Sequence, residues 1–329
     1  MSVLAFFYIL TGIVLVTISA QKLEKYSIAS SIKFGISPFL IGSTVIALGT
    51  SAPEIFTSLF AALNGKYNMV VGNVVGSNVA NIALVFGITL FILALKKEKI
   101  ESKIDSISDL GILIISTVIV CAVILINPFS IFSSLILVFS LLGVISYWYL
   151  RNEKISTNLE KVQEKFIVTK LIISIAVLIS AAWLITQGAL EILTTLEVGE
   201  LFVGYTVLAI GTSIPEIAAS IALALKGRYE AVVGTLIGSN IFNGLLVLAI
   251  PGLINYKLFF AKSLSSPYLN TPEKLDTNLS VLLIVVLVIV SILFSIYVFL
   301  ISKKPRKASL SLALLFLGTY LTSLFLAYR

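Results

Sequence analysis

Apolar residues run along this chain in stretches long enough to cross about 30 Å of hydrocarbon as helix. They fall near residues 2–20, 38–63, 69–95, 110–126, 130–150, 166–188, 200–225, 230–254, 279–302 and 308–328. The pattern predicts an all-α polytopic membrane protein with ten transmembrane helices. The first run has the length of a signal peptide, and Ser19-Ala20 resembles a cleavage site. No basic residue precedes it, so a retained first helix is expected.

Composition sharpens this picture by exclusion. Apolar residues make up 58% of the 329 and charged residues 12%, with a mean hydropathy of +1.09, which is no soluble globular domain. There is no histidine and one cysteine, Cys121. That removes zinc and iron–sulfur clusters, Ser-His-Asp and Cys-His triads, and disulfides. Any metal must be bound by oxygen.

The net charge of +7 does not form one continuous basic face, so nucleic acid is not an expected partner. Instead, basic residues alternate with the spans. One set of loops carries Lys22, Lys25, Lys33, Lys96, Lys97, Lys99, Lys103, Arg151, Lys154, Lys161, Lys165, Lys170, Lys226, Arg228, Lys303, Lys304, Arg306 and Lys307. The other carries only Lys66, Lys257, Lys262, Lys274 and Arg329. The positive-inside rule then predicts a multi-pass protein of the cell membrane with both termini extracellular.

Residues 42–81 align with 204–243 without a gap, at a constant offset of 162 and with 22 of 40 positions identical. The copies begin in spans two and seven, an odd number of crossings apart, so they enter the membrane from opposite sides. This predicts two inverted five-helix repeats, residues 1–150 and 166–329, joined by a short cytoplasmic linker at 151–165.

Of the 16 acids, two lie deep within spans, Glu54 and Glu216, at equivalent repeat positions; no Lys or Arg lies in the interior of any span. An unpaired carboxylate at that depth costs roughly 3 kcal/mol or more, so the pair is either protonated or awaits a cation. Pro53 and Pro215 cannot donate to the carbonyls of Gly49 and Gly211, which predicts a broken helix at each glutamate. The break would bring the Ala47 and Thr50 carbonyls and the Thr50 and Ser51 hydroxyls near Glu54, with Ala209, Thr212, Ser213 and Glu216 as the mirror set. Asn73, Ser77 and Asn81 are spaced four apart on one helical face, as are Thr235, Ser239 and Asn243. Beside them, Gly72 and Gly76, and Gly234 and Gly238, form GxxxG pairs suited to close helix packing. The whole constellation is carboxylates, amides, hydroxyls and carbonyls. Calcium, which takes 6 to 8 oxygens in flexible geometry, fits it better than magnesium, and sodium is a natural competitor.

GTSAPE with GSNVAN, and GTSIPE with GSNIFN, resemble the two alpha repeats of the cation/calcium exchanger superfamily, most closely its sodium/calcium exchanger branch. The resemblance covers the two repeats and, through the five-plus-five plan, nearly the whole chain. It implies alternating access, with two helices sliding against a rigid core of eight. It also implies ion ligation by Ala47, Thr50, Ser51, Glu54, Ser77 and Asn81, and by Ala209, Thr212, Ser213, Glu216, Ser239 and Asn243. The transported ions would be calcium and sodium, with no cofactor, no enzymatic activity and a monomer sufficient for transport. Potassium-dependent relatives, and some prokaryotic sodium/calcium exchangers, have aspartate where this chain has Asn243, and calcium/proton exchangers typically have acids at both 81 and 243. The amides favour sodium as counter-ion; the titratable Glu54 and Glu216 keep a calcium/proton antiporter as the alternative. A passive cation channel, the reading from a different class, fits separate broken helices less well.

Overall fold

The computed structural model describes residues 3–33, 47–97, 99–100, 107–150, 166–196, 198–225, 227, 229–254, 277–303 and 306–328. The expected linker at 151–165 and nearly all of the outer segment at 255–278 lie outside them. In chain order the helices are α1 (Val3–Lys33), α2 (Ala47–Thr50), α3 (Ala52–Leu63), α4 (Tyr67–Val79), α5 (Phe86–Leu95), α6 (Ile107–Ile126) and α7 (Ile131–Leu150). They continue with α8 (Ile167–Leu196), α9 (Glu200–Val203), α10 (Ala209–Thr212), α11 (Ile214–Leu225), α12 (Tyr229–Phe242), α13 (Thr277–Lys303) and α14 (Leu310–Tyr328). Three π-helical segments, Ala80–Val85, Gly204–Leu208 and Asn243–Val247, interrupt otherwise continuous helix.

Among the described residues, seven helices are long and apolar enough to cross a bilayer, and the bent pair Glu200–Thr212 with Ile214–Leu225 adds an eighth. The first expected span is represented by α1, which continues to Lys33 instead of stopping near residue 20. The second is represented by α2 and α3, its first part lying outside the described residues.

Burial separates an inner layer from an outer one. The apolar stretch of Val232–Ile254 is 94% buried and that of Tyr67–Leu95 is 67% buried, whereas Ile131–Leu150 and Leu310–Tyr328 are each 28% buried. The two polar-striped helices are therefore central, and α7 and α14 turn broad apolar faces outward, as a lipid-facing helix must.

Glycine sets how closely the centre packs. A Cβ added to Gly72 would run into the Leu201 carbonyl, one on Gly204 into the Met69 carbonyl, and one on Gly76 would sit 2.6 Å from the Tyr205 carbonyl oxygen. Thus α4 crosses α9 and the following π segment with backbone against backbone. In lipid there is little hydrophobic gain from bringing helices together, so such close contact supplies much of the cohesion. The same device joins α1 to α8, where Gly12 meets Ala181 and Ile185 and Gly188 meets Ala5 and Ile9.

Backbone details recur at the repeat offset. Gly65 and Gly227, one repeat apart, both take a left-handed backbone, at φ 73° and 70°, in the reversals after α3 and α11. A side chain there would be strained. Ser51 and Ser213, also one repeat apart, share φ −82° and ψ 0° at the helix bends.

Two ties lie at opposite ends of the bundle. Lys66 pairs with Glu200 at 3.0 Å just before the 29-residue helix Tyr67–Leu95, which is about 43 Å long at 1.5 Å per residue. Just after that helix, a two-residue ladder pairs Lys99 with Lys307 and Ile100 with Arg306. Near that second end Asp109, an acid the sequence assigns to a span end, is buried in the first turn of α6 and accepts a hydrogen bond from the Trp148 indole at 3.1 Å.

Gly72→Ala is expected to destabilise the folded protein by about 1–3 kcal/mol, because the obstructing atom is a backbone carbonyl that cannot rotate away. Denaturant or thermal unfolding in detergent measures this. An unchanged midpoint would show that α4 and α9 do not depend on backbone contact.

Candidate ion-binding site

Each bend forms because a proline sits early in the following helix. Pro53 and Pro215 are the second residues of α3 and α11, where a missing N–H costs nothing to that helix, yet neither can bond back to the preceding turn. The interruption is narrower than the unwound turn expected from sequence. A single residue leaves helical geometry, and the Ser51 and Ser213 amides still donate to the Ala47 and Ala209 carbonyls at 2.9 and 3.1 Å. The second span of this kind bends by 41°. These two carbonyls therefore keep a helical hydrogen bond, and each also accepts from a threonine hydroxyl, Ala47 from Thr50 at 3.2 Å and Ala209 from Thr212 at 3.5 Å.

All twelve residues named from the sequence are buried to within 1% exposure. The structure gathers them by interleaving the two halves. The first bend, α2, packs against α12, and α3 against the π segment Asn243–Val247; α10 packs against α4, and α11 against the π segment Ala80–Val85. Each carboxylate-bearing helix thus lies on the amide-bearing helix of the other half. The Thr50 and Ser239 hydroxyls meet across this seam at 3.3 Å, and Thr212 lies beside Glu54. Both amide-bearing helices change to π geometry at the site, one at Ala80 beside Asn81 and the other at Asn243 itself. π turns tend to occur at functional positions because they shift side chains out of the regular helical register.

The polar atoms fall into two groups. Some are committed: Thr50 Oγ1 donates to the Ala47 carbonyl at 3.2 Å and Thr212 Oγ1 to the Leu208 carbonyl at 2.8 Å. Others are buried with no hydrogen-bond partner among the described residues: Ser51 Oγ, both Glu54 carboxylate oxygens, Asn81 Oδ1, Ser213 Oγ, and both terminal atoms of the Asn243 amide. Glu216 occupies the place equivalent to Glu54. Leaving a buried polar atom unpaired costs about 1–3 kcal/mol each, and these atoms lie on the bends and amide-bearing helices that pack against one another. Oxygen predominates here, and a cation satisfies oxygens.

Several residues that shape the site were not singled out from sequence as site residues. Asn78 Nδ2 donates to the Asn240 carbonyl at 3.2 Å, and Asn81 Nδ2 donates to Asn240 Oδ1, also at 3.2 Å. Asn240 therefore holds the nitrogen of Asn81 away and leaves its oxygen free. Thr57 and Ser58 contact Asn73. The signal that would have found Asn78, Asn240 and Ser58 is their identity between the two copies. Thr57, matched by Ala219, carries no such signal.

A family model described as sodium/calcium exchanger protein matches residues 4–150 and 166–329. The chain belongs to the sodium/calcium exchanger protein family. It is 32% identical over 266 residues to the putative antiporter CaxA of Alkalimonas amylolytica, covering 75% of this chain and 82% of that protein. The sodium/calcium exchanger MaX1 of Methanosarcina acetivorans is 24% identical over 330 residues, covering 85% and 91%. Among solved structures, the sodium-calcium exchanger NCX_Mj soaked with 100 mM Na+ and 10 mM Sr2+ superposes over 99% of both chains, with a TM-score of 0.69 and 26% identity.

Asn240→Ala removes the acceptor of the Asn81 amide and leaves a buried donor unpaired. A loss of about 1–3 kcal/mol in unfolding free energy is expected. An unaltered unfolding curve would mean that Asn81 finds its orientation without Asn240.

Proposed function

We propose that the chain is a secondary antiporter that exchanges sodium for calcium across a membrane by alternating access. The observation that carries this reading is the set of buried oxygens around Glu54 that have no partner among the described residues, in a span without a basic residue. A divalent cation offsets the two carboxylates and takes up the remaining lone pairs together. Sodium, at half the charge, replaces it only when more than one ion shares the same ligands, and that competition couples the two fluxes. The ligands are Ala47, Thr50, Ser51, Glu54, Ser77 and Asn81 with Ala209, Thr212, Ser213, Glu216, Ser239 and Asn243.

The architecture proposed is ten spans in two inverted repeats, residues 1–150 and 166–329. Asn78 and Asn240 are 162 positions apart and hydrogen-bonded to one another, which is expected of a residue and its mate beside a two-fold axis. The termini are extracellular in the cell membrane, with the Lys66–Glu200 tie outside and the β ladder with its basic residues inside. α1 and α8, packed on each other and against the bends, form the moving pair. One chain holds every ligand, so a monomer suffices.

Sodium is the counter-ion because Asn81 and Asn243 cannot release protons, and potassium is not carried because Asn243 stands where potassium-dependent relatives have an acid. The second reading, calcium/proton exchange, rests on Glu54 and Glu216, which can titrate.

Reconstitution in proteoliposomes separates these. Calcium uptake is expected with an imposed sodium gradient, not with a proton gradient, and at an unchanged rate when choline replaces potassium. Uptake driven by protons alone would establish the second reading, and calcium flux without any counter-ion gradient would indicate a channel. Glu54→Gln and Glu216→Gln should each reduce uptake to the level of empty vesicles while the protein stays folded. Near-normal uptake by either purified variant would remove the carboxylate pair from the site.

A further inference from the structure

We propose that Asn73 is a positioning residue that presents Ser77 to the transported cation as a pure lone-pair donor. A serine that ligates a cation must direct its proton elsewhere, since an O–H pointed at the ion opposes binding. The hydrogen bonds around Asn73 determine where that proton goes. Thr57 Oγ1 donates to the carbonyls of Pro53 and Glu54, at 2.9 and 3.2 Å. Carbonyls only accept, so the single hydroxyl proton of Thr57 is used there, and toward Asn73 it can only accept. The Asn73 atom facing it, at 3.4 Å, is accordingly Nδ2, which also donates to Ser58 Oγ at 2.9 Å. Asn73 Oδ1 is left facing Ser77, whose hydroxyl donates to it at 3.3 Å. All four side chains are fully buried, so no bulk water competes for these bonds.

The second half lacks this relay. Thr235 stands where Asn73 would be and Ala219 where Thr57 would be. Thr235 Oγ1 and Ser220 Oγ, fully buried, find no partner among the described residues, because threonine is too short to bridge as asparagine does. Ser239 is served differently. Its neighbour Thr50 gives its own proton to the Ala47 carbonyl, so Ser239 donates to Thr50, across the seam between halves. Ser77 is therefore oriented from within its own half, and Ser239 by a contact that any relative movement of the halves alters. The two halves of the site are chemically unequal despite the repeat.

This inference rests on Ser77 being a cation ligand, and its test reads calcium binding so that it does not depend on which counter-ion is used. Full-length purified protein is titrated with calcium chloride by calorimetry for the parent, Asn73→Ala, Ser77→Ala and the double variant. Asn73→Ala should raise the calcium Kd about ten-fold, the effect of losing one charge-assisted contact. Ser77→Ala should do the same, and the double variant should be no weaker than Ser77→Ala alone. Asn73→Thr, which copies the other half, should also weaken binding. If Asn73→Ala does not fold, Ser58→Ala replaces it, with a smaller loss that is again absent when Ser77 is alanine. Multiplying losses in the double variant, or an unchanged Kd in Asn73→Ala, would overturn the assignment. So would a loss in Asn73→Ala with none in Ser77→Ala. Absence of any calcium binding by the parent would overturn both this inference and the exchanger reading beneath it.

Discussion

The central constraint on this molecule is that two carboxylates lie buried among membrane helices with no lysine or arginine within the spans to neutralise them. A carboxylate at that depth is costly while it is charged and unpaired. Everything near them follows from keeping those oxygens available without letting the helices come apart. The bends are confined to one residue each, with the Ser51 and Ser213 amides still bonded to the preceding turn, and the amide nitrogens of Asn73, Asn78 and Asn81 are tied off by neighbouring residues while that of Asn243 has no partner among the described residues. What remains unpaired among the described residues is largely oxygen.

Holding such a site together calls for a different source of cohesion from that of a soluble core. The helices that carry the amides are the most buried ones, and α4 crosses the other half with glycine against backbone carbonyl. Close approach there is a condition of the chemistry as well as of stability. Thr50 and Ser239 meet at 3.3 Å only because the two halves interleave.

The repeat gives each half the same glutamate, proline, serine and glycine, yet the hydrogen bonding is not a copy. Asn81 is anchored through Asn240, while both polar atoms of the Asn243 amide are unpaired among the described residues.

The sequence by itself determined that the chain is apolar helix spanning a membrane, that a 40-residue unit recurs, and that its polar span residues offer carboxylate, amide and hydroxyl groups and no imidazole. Those properties follow from composition, hydrophobic run length and residue identity, which are local. The broken helices were equally legible, because proline removes a donor wherever it stands, although their extent was overestimated: Ser51 and Ser213 still close a helical bond. The π turns, the pairing of Asn78 with Asn240 and the relay from Thr57 through Asn73 to Ser77 were decided by tertiary structure alone. They arise between residues far apart in the chain or from side-chain reach. No periodicity records how far an asparagine extends compared with a threonine until its neighbour is in place.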